Sequence, residues 1–168
     1  MPFSYKEDVR EPVWDLSKNS AGLSIRFLSN SSVITAKWEL LNNFSMDHMP
    51  DTGIKGIDLY FKNNNKWQYI NTGRTAGFNN EYRLVENMNN KLREYKIFLP
   101  LYDGIKKIEI GIDYSSFIQK PKKSEKKPII FYGTSITQGA SASRPGMAHT
   151  NIISRKLDRN VINFGFSG

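Results

Sequence analysis

The sequence predicts a mainly β protein, an antiparallel β-sandwich over residues 1–119 followed by a single βαβ unit over residues 128–168. Three observations predict it. Apolar residues alternate with period two between residues 20 and 114. Turn residues interrupt that alternation every eight to twelve positions. Beyond the stretch Pro121–Pro128 the pattern changes to two wholly apolar runs separated by a helix-compatible segment.

Each element follows from its residues. Leu23, Ile25 and Phe27 face one way in the first strand, and Ile34, Ala36, Trp38 and Leu40 do so in the second. Ile57, Leu59 and Phe61 repeat the pattern up to the turn Asn63-Asn64-Asn65, and Trp67 and Tyr69 begin the return strand of a hairpin. Arg83–Glu86, Arg93–Leu99 and Lys107–Ile112 supply further strands, for a sandwich of about eight. The expected core includes Phe27, Trp38, Leu59, Phe61 and Ile110. No helical period of useful length occurs before residue 147. Residues 120–127 read as a linker, because they carry no apolar side chain and prolines discourage strand pairing. Ile129–Tyr132 is then a strand of a doubly buried parallel sheet, Ala148–Leu157 the crossover helix, and Val161–Phe166 the second strand.

Composition narrows the function classes. The net charge is +8, but residues 1–119 hold 15 basic and 14 acidic side chains, so the excess sits in Lys120–Lys127 and in residues 128–168. A nucleic-acid surface would show a basic stripe interleaved with aromatics on a folded face, so no nucleic-acid partner is expected. There is no cysteine, which excludes disulfides and thiolate metal sites. Met1–Arg10 has no apolar core of a signal peptide, and no 18-residue apolar stretch spans a membrane. The compartment stays open.

The chemistry-bearing segment is Gly133–Gly139, GTSITQG, between the first apolar run of the βαβ unit and its helix. A strand-to-helix turn exposes a serine Oγ and leaves N–H groups at the helix start unpaired, which suits a nucleophile beside an oxyanion. A phosphate-binding loop is excluded, since five residues separate Gly133 from Gly139 and Ala140 follows. The α/β-hydrolase elbow is excluded too, because Thr137 stands where it needs glycine. A polar turn without chemistry is the simpler alternative.

GTSITQG together with NFGFSG (Asn163–Gly168) resembles blocks I and II of the SGNH (GDSL-like) hydrolases, a family of serine esterases. Thr134 replaces the usual Asp before the serine, a variant of one branch, and Ser143–Asn151 looks like that branch. GIDLY (Gly56–Tyr60) is similar to the GxDLY signature of an N-terminal domain that precedes SGNH esterase domains, as are Glu11–Phe27, His48–Gly53 and Leu99–Ile112. The resemblance implies a jelly-roll-like sandwich, then the first part of an SGNH domain. It implies a carboxylic-ester hydrolase acting without metal or organic cofactor, on an ester such as an acetylated carbohydrate. Ser135 matches the nucleophile, and Gly168 matches an oxyanion donor. The family's Asn block and its Asp/His block match nothing within these 168 residues, so the chain alone is expected to lack turnover. A terminal carboxylate on Gly168 would add to that by opposing an oxyanion.

Other residues carry two readings each. His48, in Met-Asp-His-Met-Pro, either faces an ester substrate or packs as a loop histidine under the methionines. Arg144, beside the serine loop, holds a substrate group or pairs with a carboxylate of the family blocks that match nothing in these residues. His149 opens the helix, where a cation is disfavoured, so a structural or surface role is expected. Asp58 points away from Ile57 and Leu59 and is expected to bind a loop backbone or a basic partner. Trp38 and Trp67 are expected in the core, while Trp14 is less constrained. The βαβ unit has one helix to cover two strands, so it is expected to pack on the sandwich, associate with another copy, or fray. The rival function is a non-catalytic sandwich that binds a glycan or a partner.

Overall fold

The computed structural model describes residues 1–167. Helix α1 (Glu11–Leu16) leads into β1 (Ser24–Ser29) and β2 (Ile34–Leu40). A single turn, α2 (Asp51–Ile54), precedes β3 (Ile57–Asn63), β4 (Lys66–Gly73) and β5 (Asn79–Val85). Strands β6 (Arg93–Phe98), β7 (Ile105–Ile112) and β8 (Ile118–Gln119) complete the first part. After an irregular stretch come β9 (Ile129–Gly133), α3 (Ser135–Gln138), α4 (His149–Leu157) and β10 (Val161–Gly165). The short helices α1, α2 and α3 were not expected, since one turn or so is too brief for a helical period to register.

Strands β1 to β8 form two antiparallel sheets, in the orders β4-β3-β6-β1-β8 and β5-β2-β7. The β3–β4 hairpin turns through Asn64 and Asn65, both at positive φ, the backbone that a two-residue hairpin demands and asparagine tolerates. One core joins the sheets: Phe27, Leu59, Tyr95 and Ile97 from the larger meet Ile34, Trp38, Leu40 and Leu84 from the smaller. Phe27, Trp38 and Leu59 are buried, as expected; Phe61 and Ile110 are half-buried and pack against that core.

The larger sheet is covered on its other face as well. Strand β3 begins with four consecutive buried residues and β6 ends with four. The covering layer is the segment from Pro145 to Leu157, and α4 turns Thr150, Asn151 and Ser154 inward. A second apolar cluster of Met49, Ile54, Leu101, Tyr102 and Ala148 closes the junction. Packing on the sandwich, one of the outcomes expected for the βαβ unit, is observed. Strands β9 and β10 pair in parallel, and their outer face leaves Ile130, Tyr132, Ile162 and Phe164 exposed.

Trp67 corrects an expectation. It lies on the covered outer face of the larger sheet rather than in the inter-sheet core. There its Nε1 donates to Asp158 at 2.8 Å and the Lys96 ammonium sits 4.9 Å from its ring centre. A register shift between Leu59 and Tyr60 disturbs the β3–β4 pairing just beyond it. That bulge also puts Tyr69 and Thr72, three residues apart, on one face, where Tyr69 Oη and Thr72 Oγ1 lie 2.9 Å apart.

Candidate active site

Ser135 is the first residue of α3, two residues beyond the end of β9, and it is half-buried. Its backbone N–H therefore has no partner within the helix. The helix stops after one turn at Gly139, whose φ of +119° suits a residue without Cβ. The turn is tied down around the serine. Tyr102 Oη donates to the Ser135 carbonyl at 3.3 Å. Gln138, wholly buried, donates to the Leu101 carbonyl at 3.1 Å and accepts from Ser167 N–H at 3.0 Å. Asn163 on β10 donates to the Thr137 carbonyl at 2.8 Å, and its own Oδ1 accepts from Gly165 N–H at 2.8 Å. Gln138 and Asn163 both lie inside GTSITQG and NFGFSG, yet neither was singled out from the sequence; an amide among small residues in a turn was the available signal.

The chain between α3 and α4 is bolted to the sandwich by the GIDLY segment. Gly56 brings two backbones together, since a Cβ there would meet the carbonyls of Thr52 and Gly73. Leu59 enters the core. Asp58, fully buried, accepts from Arg144 Nη1 at 2.7 Å, from Gly146 N–H at 2.8 Å and from Thr72 Oγ1 at 2.7 Å. Tyr60 Oη accepts from Arg144 Nη1 at 2.6 Å, and the Arg155 guanidinium lies over its ring at 4.1 Å. Burial raises the Tyr60 phenol above its ordinary value, against the pull of Arg155, so it stays neutral. Burial works against the Arg144 charge, but the bonds to Tyr60 and Asp58 outweigh it and raise its pKa. Thr52 Oγ1 adds a bond to the Ser143 carbonyl at 2.6 Å.

The other expected site residues lie apart from this bolt. The His48 imidazole is exposed and paired with Asp47 at 3.0 Å; Met49 beside it is the buried residue, so His48 is not packed under the methionines. His149 is exposed, with its ring edge-on to Phe131. Among the described residues neither histidine hydrogen-bonds to Ser135. Gly168 lies outside the described residues. No group of histidine, aspartate and glutamate suited to a metal ion occurs among the described residues. The arrangement presents a half-buried hydroxyl at a helix start, in a turn hydrogen-bonded by Tyr102, Gln138 and Asn163.

The family GxDLY, described as the N-terminus of SGNH-hydrolase-type esterases, matches residues 1–118. The GDSL-like lipase/acylhydrolase family matches residues 126–168. Among solved structures, a Bacteroides ovatus ATCC 8483 protein named as a candidate GDSL-like lipase is 42% identical with a TM-score of 0.93, over 98% of this chain and 49% of that one. A salicylyl-acyltransferase from a tetracycline biosynthetic pathway is 15% identical with a TM-score of 0.76, over 99% of this chain and 46% of that one. A family two carbohydrate esterase from Clostridium thermocellum, in complex with cellohexaose, is 13% identical with a TM-score of 0.62, over 89% and 46%. The last two show a shared fold. This chain spans about half the length of the solved structures it matches. No curated protein is significantly similar to it.

Proposed function

The chain belongs to the SGNH-type (GDSL-like) esterases that carry a GxDLY N-terminus, and on that premise we propose that it is the Ser135-bearing part of a carboxylic-ester hydrolase that deacetylates carbohydrate. The observation that carries this reading is the half-buried Ser135 opening α3 directly after β9, in a turn fixed by Gln138, Asn163 and Tyr102. Ser135 Oγ attacks the acyl carbonyl and its proton passes to a base. The alcohol leaves, and water then releases the acyl group from the serine. The Ser135 N–H and, by family resemblance, that of Gly168 face the developing oxyanion. Residues 1–119 form the sandwich, 120–127 the linker and 128–168 the nucleophile-bearing unit.

A polypeptide of these 168 residues alone has no turnover in this reading, because neither His48, bonded to Asp47, nor His149, against Phe131, hydrogen-bonds to Ser135, and the family's Asp/His block matches nothing in these residues. The test is acetate release from acetylated xylan and p-nitrophenyl acetate. A chain extended to the length of the solved relatives should be active and lose activity on Ser135→Ala, while the 168-residue chain should be silent in both forms. An extended chain whose hydrolysis survives Ser135→Ala would refute the assignment and favour a non-catalytic sandwich.

A further inference from the structure

We propose that the polar pocket between β4 and the segment after α3 binds a carboxylate-bearing sugar, a uronic acid residue of the polysaccharide. The pocket holds about 380 Å³ and is lined by Tyr69, Asn71, Arg74, Tyr82, Ser143 and Arg144, with Thr52 and Thr72. Its charge is one-sided: two arginines and no carboxylate line it. The two arginines are not equivalent. Arg144 is paired with Asp58, and its guanidinium carbon lies 3.9 Å from the centre of the Tyr69 ring. Arg74, just past the end of β4, is exposed and forms no ion pair among the described residues. An unpaired guanidinium with an amide beside it on Asn71 offers the forked donors that a carboxylate takes bidentately.

The remaining wall suits the sugar that carries the carboxylate. Tyr69 is 44% exposed, and the part of its ring not covered by Arg144 offers an apolar surface for pyranose C–H groups. The cleft on the smaller sheet differs in charge. That cleft is lined by Lys37, Glu39, Glu81, Lys107 and Glu109, and these pair with one another or with Lys106, leaving no single sign of charge. The pocket at Arg74 is also tied to the nucleophile through the segment that runs from Gly139 to Ser143. A polymer seated there would lie against the same loop that borders Ser135. The proposal rests on the carbohydrate reading only in its choice of a sugar as carrier of the carboxylate.

The test is binding, so it is independent of turnover. Amide NMR shifts of the 168-residue protein are followed during titration with tetragalacturonate, with its fully methyl-esterified form, and with acetate. Tetragalacturonate should move the amides of Asn71, Arg74 and Ser143, and the methyl ester should bind about tenfold more weakly or worse, as expected for losing a charged hydrogen bond. Arg74→Gln should weaken tetragalacturonate by a similar factor, while Ser135→Ala should leave it unchanged. Equal binding of the acid and its ester, an indifferent Arg74→Gln, or acetate matching the oligomer would each overturn the proposal. Absence of Ser135-dependent hydrolysis, by contrast, would sink only the esterase reading.

Discussion

Asp58 Oδ2 lies 2.7 Å from Arg144 Nη1, joining residues 86 positions apart, and the same oxygen accepts the Gly146 N–H. One buried carboxylate of the GIDLY segment thus fixes two points of the loop that follows Ser135. Breaking a buried pair by removing one partner typically costs about 3–5 kcal/mol. Arg144 keeps partial access to water, so the lower end applies: Asp58→Ala should cost roughly 3 kcal/mol in urea unfolding. Arg144→Lys should fall short of wild-type stability, because a compact ammonium lacks the guanidinium that bonds Asp58 and Tyr60 while packing 3.9 Å from the Tyr69 ring centre.

Gly146 sits so close to the sandwich that a Cβ there would collide with the Tyr60 hydroxyl and the Asp58 carboxylate. Gly146→Ala should therefore destabilise by roughly 1–3 kcal/mol, the usual cost of forcing volume into a packed contact. Gly77, with open space around it, is the control, and Gly77→Ala should stay within about 0.5 kcal/mol. Equal effects of the two substitutions in thermal unfolding would contradict the packing described.

The strands and the inter-sheet core are legible because the core-facing residues recur with a two-residue period, clearest where the opposite face is wet, as in the smaller sheet. Ile34, Ala36, Trp38 and Leu40 show this in β2, where the burial alternates. The outer face of the larger sheet was not legible. Lys96 and Trp67 look like a solvent residue and a core residue in sequence, yet they stack on each other beneath α4. A layer added by a distant part of the chain leaves no periodic trace. For the site, Ser135 stands out through its motif, and Asp58 was legible as a residue facing away from the core. Its partners were not, because nothing local links residue 58 to residues 144 and 146. The sequence suggests for Arg144 a substrate group or a carboxylate outside these 168 residues; the structure pairs it instead with Asp58, within the sandwich.

Lys96 gives a pH signature. Burial, with the Arg26 charge adding to it, lowers its pKa from 10.5 to about 8. Above pH 8 the folded state has released a proton that the unfolded chain keeps until about 10.5, so stability rises with pH across that window. Below pH 8 both states carry the charge and the slope vanishes. From pH 7.5 to 9.5 the wild type should gain on the order of 2 kcal/mol relative to Lys96→Met, measured by urea unfolding at each pH. A flat difference between the two proteins would show that Lys96 is not held in this environment.

The far end of α4 is held by one carboxylate, and hydrogen exchange should report it. Asp158 caps the helix in the left-handed conformation, and it accepts from Lys62 Nζ at 2.6 Å and Trp67 Nε1 at 2.8 Å. Burial opposes its charge, but these two bonds outweigh that and lower its pKa. Asp158→Asn keeps a residue tolerant of that backbone while removing the charge that pairs with Lys62. Among the described residues, strands β9 and β10 have only each other as sheet neighbours and one exposed face, so they should open below the global unfolding free energy even in the wild type. In Asp158→Asn the amides of Ser154–Leu157 and Val161–Gly165 should lose protection by about tenfold, equivalent to one charge-assisted bond, while those of β2 change far less. Uniform loss across all three segments would mean that the unit and the sandwich open only together.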